Sequence, residues 1–153
     1  KRLARRAMSR SEVEQKLRER GHGEAVREAV LTRLAELELL DDEAYGRSLI
    51  RDVMARKPAG PRLLNQKLRQ KGIEAALAER LVREAMDASP PVEEALSLAR
   101  KKLAGMSGLT AQARRRRLHG QLARRGFEPD TIDQVMRQLE DELADASDDA
   151  DFA

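Results

Sequence analysis

The chain has 153 residues, with 30 Lys and Arg against 27 Asp and Glu, no cysteine, no tryptophan, one Tyr and two Phe. Without cysteine there is neither a disulfide nor a thiolate metal site, and no apolar run approaches the ~20 residues that a membrane helix needs. Leu, Ala, Arg and Glu enter helices at little cost, whereas the aromatic residues that favour strands are scarce, so the composition predicts an all-α fold in a soluble, cytoplasmic protein. The chain starts at Lys1 rather than at Met, so residues upstream of it are expected. The basic start, Lys1-Arg2-Leu3-Ala4-Arg5-Arg6, is not followed by the apolar core of a signal peptide.

Taken in chain order, residues 2–8 read as a short helical stub. Ser11 with Glu14 has capping-box spacing and predicts the start of a basic helix that runs to Arg20. Val13 and Leu17 share one face of it, and Gly21 stops it, because glycine takes the left-handed backbone without a Cβ penalty. The residue after such a stop often makes an apolar contact; His22 holds that place, so this cap is expected to be the weakest. Val26, Val30, Leu31 and Leu34 then follow a helical period.

Asp41-Asp42 suits a helix start, and Tyr45, Leu49 and Val53 line one face of a helix over residues 42–56. Lys57-Pro58-Ala59-Gly60-Pro61 breaks the chain. A second basic helix follows with Leu64 and Leu68 on its apolar face, closed by Gly72 and Ile73, and then a helix carrying Leu77, Leu81 and Val82. After Ser89-Pro90-Pro91, Glu93 and Glu94 suit a first helical turn and Leu96, Ala99 and Leu103 its apolar face. Gly105-Met106-Ser107-Gly108 loosens the chain ahead of a third basic helix with Leu118 and Leu122, closed by Gly126 and Phe127. Ile132, Val135, Met136 and Leu139 line the last predicted helix. Seven acids (Glu140, Asp141, Glu142, Asp145, Asp148, Asp149 and Asp151) and no bases lie beyond Arg137, leaving a surplus of ten positive charges in residues 1–139. Residues 144–153 are expected to be a disordered acidic tail, either a solvated end or an internal competitor for the basic faces.

The three stopping glycines lie 51 and 54 residues apart. Each has a Leu four residues before it and Val13, Leu64 or Leu118 eight before it, a spacing that places both on one helical face. The pattern predicts three tandem three-helix repeats, 1–40, 41–88 and 91–143, the first truncated at its N-terminus. Units this short cannot bury much apolar surface alone, so neighbours are expected to stack into an elongated, curved array. The alternative is one compact bundle in which the repeat is only ancestral.

The stretch Leu37-Glu38-Leu39-Leu40-Asp41-Asp42-Glu43-Ala44-Tyr45, followed by Lys57-Pro58-Ala59-Gly60-Pro61 and Leu68-Arg69-Gln70-Lys71-Gly72-Ile73, resembles the signature of the RecX family. The resemblance covers residues 1 to about 141. Tyr45 stands where Phe is the commoner choice, and the acidic stretch 140–153 has no counterpart in the family pattern. The resemblance implies three tandem three-helix repeats that bind the RecA recombinase filament, inhibiting its DNA-dependent ATPase, strand exchange and coprotease activities. It places the chain in DNA repair, homologous recombination and the SOS response.

The residues themselves point to binding rather than catalysis. No cysteine nucleophile exists, His22 and His119 share no metal-ligand spacing, and no Gly-x-x-x-x-Gly-Lys-Ser/Thr loop is present. Asp41-Asp42 is read as a helix cap rather than a metal site. No enzyme activity, cofactor or metal is expected. The candidate contacts are basic: Arg62, Lys67, Arg69 and Lys71 on the second basic helix, and Arg114, Arg115, Arg116, Arg117, Arg124 and Arg125 on the third. Lys16, Arg18 and Arg20, interleaved with Glu14 and Glu19, read as a solvated face. Such surfaces neutralise phosphates or hold carboxylates, and the lack of aromatics argues against base stacking. Single- or double-stranded DNA, bound without regard to sequence, is therefore expected beside RecA, with the protein a monomer. The rivals are a direct DNA-binding helix-turn-helix-like transcription or nucleoid protein, and a helical scaffold that binds no nucleic acid.

Overall fold

The computed structural model describes residues 8–144. Among them the chain forms nine helices: α1 (Arg10–Glu19), α2 (Glu24–Glu36), α3 (Asp42–Arg56), α4 (Pro61–Gln70), α5 (Ala75–Ala88), α6 (Pro91–Ala104), α7 (Ala111–Arg124), α8 (Pro129–Gln138) and α9 (Glu140–Ala144). They pack as three groups, α1–α2, α3–α4–α5 and α6–α7–α8–α9. Residues 1–7 of the expected N-terminal stub, and 145–153 of the expected acidic tail, lie outside the described residues.

The basic helices α1, α4 and α7 end alike. Gly21, Gly72 and Gly126 have φ of +84°, +81° and +86°. In each case the glycine N–H donates to the carbonyl three residues back, and the next N–H donates to Leu17, Leu68 or Leu122 at 3.1, 3.1 and 3.2 Å. These are paired Schellman bonds, which satisfy carbonyls that a helix end leaves without partners. The expected weakness of the first cap is therefore confined to its apolar part: His22 is exposed, whereas Ile73 and Phe127 are buried.

The middle core gathers Ile50, Ala59, Leu64, Leu68, Ile73, Ala78, Leu81 and Val82, with Tyr45, Leu49 and Val53 against it. The last core gathers Leu98, Leu118, Leu122, Phe127, Ile132, Val135, Leu139 and Leu143 with Ala95 and Ala99. Here the structure adjusts one expected stripe: Leu98 is the buried leucine of α6, and Leu96 and Leu103 flank it. The first module is much thinner. α1 buries no side chain completely, α2 buries only Leu31, and Val26, expected on the apolar face, is 49% exposed. α2 also ends with Glu38 at φ +57°, a left-handed conformation that costs a non-glycine residue about 1–2 kcal/mol.

One expected cap is corrected. The capping box of α1 is Ser9 with Glu12, not Ser11 with Glu14: Ser9 Oγ accepts from the Glu12 N–H at 3.2 Å, and the Ser9 N–H donates to Glu12 Oε2 at 3.3 Å. Both frames have the right spacing. The next module decides between them, because Ser9 Oγ also donates to the Lys71 carbonyl and Ser11 lies against Gly72.

This contact is the first of two equivalent junctions. In each, the glycine-capped end of one basic helix meets the N-terminus of the preceding one. At the second, the N–H groups of Gly60 and Arg62 donate to the carbonyls of Arg125 and Gly126 at 2.8 and 3.0 Å. Helix α4 thus receives, from α7, partners for N–H groups that an isolated helix start leaves open. Ser9 and Gly60 are the N-caps of α1 and α4, and each lies 12 residues before its stopping glycine. The same place in the third module is Arg114, inside α7, whose extra N-terminal turn begins at Thr110. The array therefore has a direction. Among the described residues no hydrogen bond or ion pair joins the first module to the third.

Two substitution pairs test this architecture. Gly21→Ala should cost about 1–2 kcal/mol, the left-handed penalty alone, since a Cβ there meets nothing within 4 Å. Gly126→Ala should cost clearly more, since its Cβ would fall under 3.0 Å from the backbone of Leu63; urea melts with circular dichroism will separate the two. By the same readout Leu68→Ala, at a fully buried site, should cost about 2–5 kcal/mol and the half-buried Leu17→Ala distinctly less.

Candidate functional site

The amphipathic order of α4 sends Leu64 and Leu68 into the middle core and leaves four cations outside it. Three of these are tied. Arg62 Nε lies 3.6 Å from Glu128, Arg69 donates to the Ile73 carbonyl at 2.9 Å, and Lys71 Nζ lies 3.5 Å from Glu12. Lys67 has no ion-pair partner among the described residues and lines a groove of about 400 Å³ with Asp52, Arg56, Lys57 and Arg125.

The arginine run of α7 does not act as one face. Arg114 is buried, with 9% exposure, and donates to the Ser107 carbonyl at 3.0 Å, so the structure removes it from the expected binding surface. The reason is helical phase: Arg114 is four residues before Leu118 and follows it inward, fastening the loop that leads into α7. Arg115 pairs with Glu140. Arg116 and Arg117 are exposed and, with Arg124, border a shallow surface beside Leu109 and Gly120. Arg125 is turned to the junction, its guanidinium donating to the Pro58 and Lys57 carbonyls at 3.0 Å each. Burial holds its pKa below the usual guanidinium value.

Of the ten expected residues, then, Lys67, Arg116, Arg117 and Arg124 remain open cations. Arg62, Arg69, Lys71 and Arg115 are engaged at the surface, and Arg114 and Arg125 hold the fold together. The structure also brings in three cations that the sequence reading passed over: Arg56, Lys57 and Lys102. The Lys57 ammonium sits against that of Lys102, which with burial and the nearby Arg125 holds its pKa below the ordinary lysine value. Lys57 was legible only as part of a Pro-Gly break, and nothing in sequence ties it to a lysine 45 positions away.

Elsewhere the cations are neutralised. Arg47 and Arg80 join α3 to α5 through Glu43 and Glu84, with contacts of 2.7–3.3 Å. Arg80 first and Arg47 second hold the Glu43 carboxyl below its ordinary pKa. The acidic segment at the end of the chain begins as part of the fold: Leu143 is buried, and Glu142 lies 3.7 Å from Arg100 while Glu140 pairs with Arg115. These contacts are those of an internal competitor for basic side chains. Asp41 Oδ1 caps α3 through the Ala44 N–H at 3.0 Å, and Asp42 accepts from the Arg10 N–H at 2.9 Å. His22 and His119 are both exposed. Among the described residues no group of three His, Asp or Glu is placed to hold a metal ion, and no helix is long and apolar enough to cross a membrane.

Comparison with known proteins agrees with this architecture along the whole array. Three family models match in order: the first three-helix domain of RecX on residues 1–34, the second on 41–84 and the third on 92–136. Regulatory protein RecX of Prosthecochloris aestuarii is 38% identical over 134 residues, 88% of this chain and 85% of that protein. The RecX protein of Chlorobaculum tepidum is 33% identical over 97% of this chain and 90% of its own length. That of Streptomyces coelicolor is 35% identical over 90% of this chain and 73% of its own length. Among solved structures, RecX from Lactobacillus salivarius superposes with a TM-score of 0.80 at 28% identity, covering 90% of this chain and 89% of that one.

The division of the arginine run is open to experiment. Arg114→Gln should destabilise the last module by about 1.5–3 kcal/mol, the worth of a buried hydrogen bond to a charged group. Arg116→Gln with Arg117→Gln should leave the urea midpoint within about 0.5 kcal/mol of the parent.

Proposed function

This chain belongs to the RecX family and has a regulatory role, and on that premise we propose that it modulates the RecA recombinase by lying along the RecA–DNA filament. It acts without chemistry of its own, as a monomer, and lowers the ATPase, strand-exchange and coprotease activities of the filament. The observation that carries this reading is the direction and continuity of the array: three modules joined end to end, with open cations on more than one of them. A surface of that form suits a partner that is itself a repeating, polyanionic assembly. Lys67, Arg116, Arg117 and Arg124 are the side chains free to meet phosphates or acidic protein surface, and no pattern among them reads base edges.

Inhibition follows from differential affinity. A ligand shifts a two-state filament only by the difference in its affinity for the two states, so the array must fit the spacing of one filament state better than that of the other. Each phosphate contact made by a cation releases counterions, which makes binding strongly salt-dependent.

The purified chain, added well below the RecA concentration, should reduce DNA-stimulated ATP turnover and strand exchange. Unchanged rates would overturn the proposal, and tight selective binding to a palindromic duplex would point to a direct DNA-binding regulator instead. A variant carrying Lys67→Gln, Arg116→Gln, Arg117→Gln and Arg124→Gln should inhibit more weakly and bind with a flatter salt dependence. Its helix content, by circular dichroism, should stay that of the parent.

A further inference from the structure

The groove between the second and third modules is lined by charges that the fold leaves unanswered. Lys57 follows α3, Lys67 stands on α4, Lys102 on α6 and Arg125 at the end of α7, so two modules each supply two cations. Arg56 borders the same groove, and Asp52 is the acid that lines it. Arg18, Arg33, Arg47, Arg62, Lys71, Arg80, Arg100 and Arg115 all have carboxylate partners. At this groove two lysine ammoniums face each other instead, and among the described residues neither has an ion-pair partner.

We infer that this groove is a phosphate site, in which one phosphate group bridges Lys57 and Lys102 and so fastens the second module to the third. The chemistry favours phosphate over carboxylate. Bidentate carboxylate binding needs an arginine fork, and the fork of Arg125 is already spent on the Pro58 and Lys57 carbonyls. Lysine ammoniums are point charges without preferred geometry, and the several oxygens of a phosphate meet them together. The lowered pKa of Lys57 agrees, since an anion placed between the two ammoniums would relieve the crowding that lowers it. The phosphate can come from a nucleic-acid backbone, which rests on the filament-binding reading above, or from a small phosphorylated compound, which does not.

The probe for the site itself is inorganic pyrophosphate with the full chain, at ionic strength held constant with sodium chloride. Pyrophosphate should raise Tm. The shift should vanish in the Lys57→Gln, Lys102→Gln double variant and persist in Lys101→Gln, whose side chain is on the exposed side of α6. Without the anion, the double variant should melt no lower than the parent, because it removes a repulsion; this guards against a misfolded control. No shift in the parent, or an equal shift in the double variant, overturns the inference, as does a polyglutamate peptide that reproduces the pyrophosphate shift with the same dependence on Lys57 and Lys102. The source is read from duplex DNA binding. If the log–log salt slope of the double variant falls by about 0.9, the value of one duplex phosphate contact, the bridging group is a backbone phosphate. If the slope is unchanged while the pyrophosphate shift is lost, the site stands and its occupant is a small phosphate compound. Failure of RecA inhibition leaves the pyrophosphate result as it is, so the two proposals fail separately.

Discussion

Each end of an α-helix leaves backbone groups without partners, and in this protein the modules supply them to each other. The carbonyls at the glycine-capped end of α7 accept the N–H groups that open α4, and the equivalent end of α4 is met by Ser9 at the start of α1. Such contacts work only where backbone touches backbone, which explains the glycines there. A Cβ on Gly60 would fall under 3.0 Å from Gly126 and Phe127, and one on Gly126 equally close to Leu63. The stopping glycine consequently has two tasks, to end its own helix with a positive φ and to let the neighbouring module approach. Gly21 has the first task without the second.

The same contact gives the array its ends. At one end Gly21 meets no N-terminus among the described residues. At the other, α7 continues past the register at which α1 and α4 begin, so the place of Ser9 and Gly60 is held by the buried Arg114, and Leu143 of α9 adds to the last core. Stability is distributed accordingly. The second and third modules have cores of fully buried leucines, whereas the first rests on Leu31 and on its junction with the second. In a repeat protein, where stability is approximately a sum of module and interface terms, the first module is the part whose opening costs least.

Charge follows a second rule. Where cations and carboxylates share a face they pair, as in the Glu43, Arg47, Arg80 and Glu84 network, and such pairs contribute modestly at an exposed surface. The cations that remain open are those held apart from acids by the fold, at Arg116, Arg117 and Arg124 on α7 and in the groove around Lys57 and Lys67. Binding capacity therefore depends on where pairing fails rather than on how many bases the chain contains. The acidic segment sharpens this selection, since Glu140 and Glu142 withdraw Arg115 and Arg100 from the open set.

Helical period, stopping glycines and proline breaks are local signals, so the sequence alone determined the all-α class, the threefold repeat and the bounds of α3 at Asp42–Arg56. It also carried the family pattern, because that pattern consists of turns and caps. What it could not determine were choices between locally equivalent options. Ser9 and Ser11 have the same spacing to a glutamate, and only the docking of Gly72 selects Ser9. Arg114 and Arg116 are alike as residues, and only the phase of α7 against its core buries one and exposes the other. Lys57 and Lys102 are ordinary lysines until the junction sets their ammoniums side by side. Local chemistry sets which helices form and where they stop; which polar groups are spent on the fold and which remain for a partner depends on distances across modules, which only the tertiary structure defines.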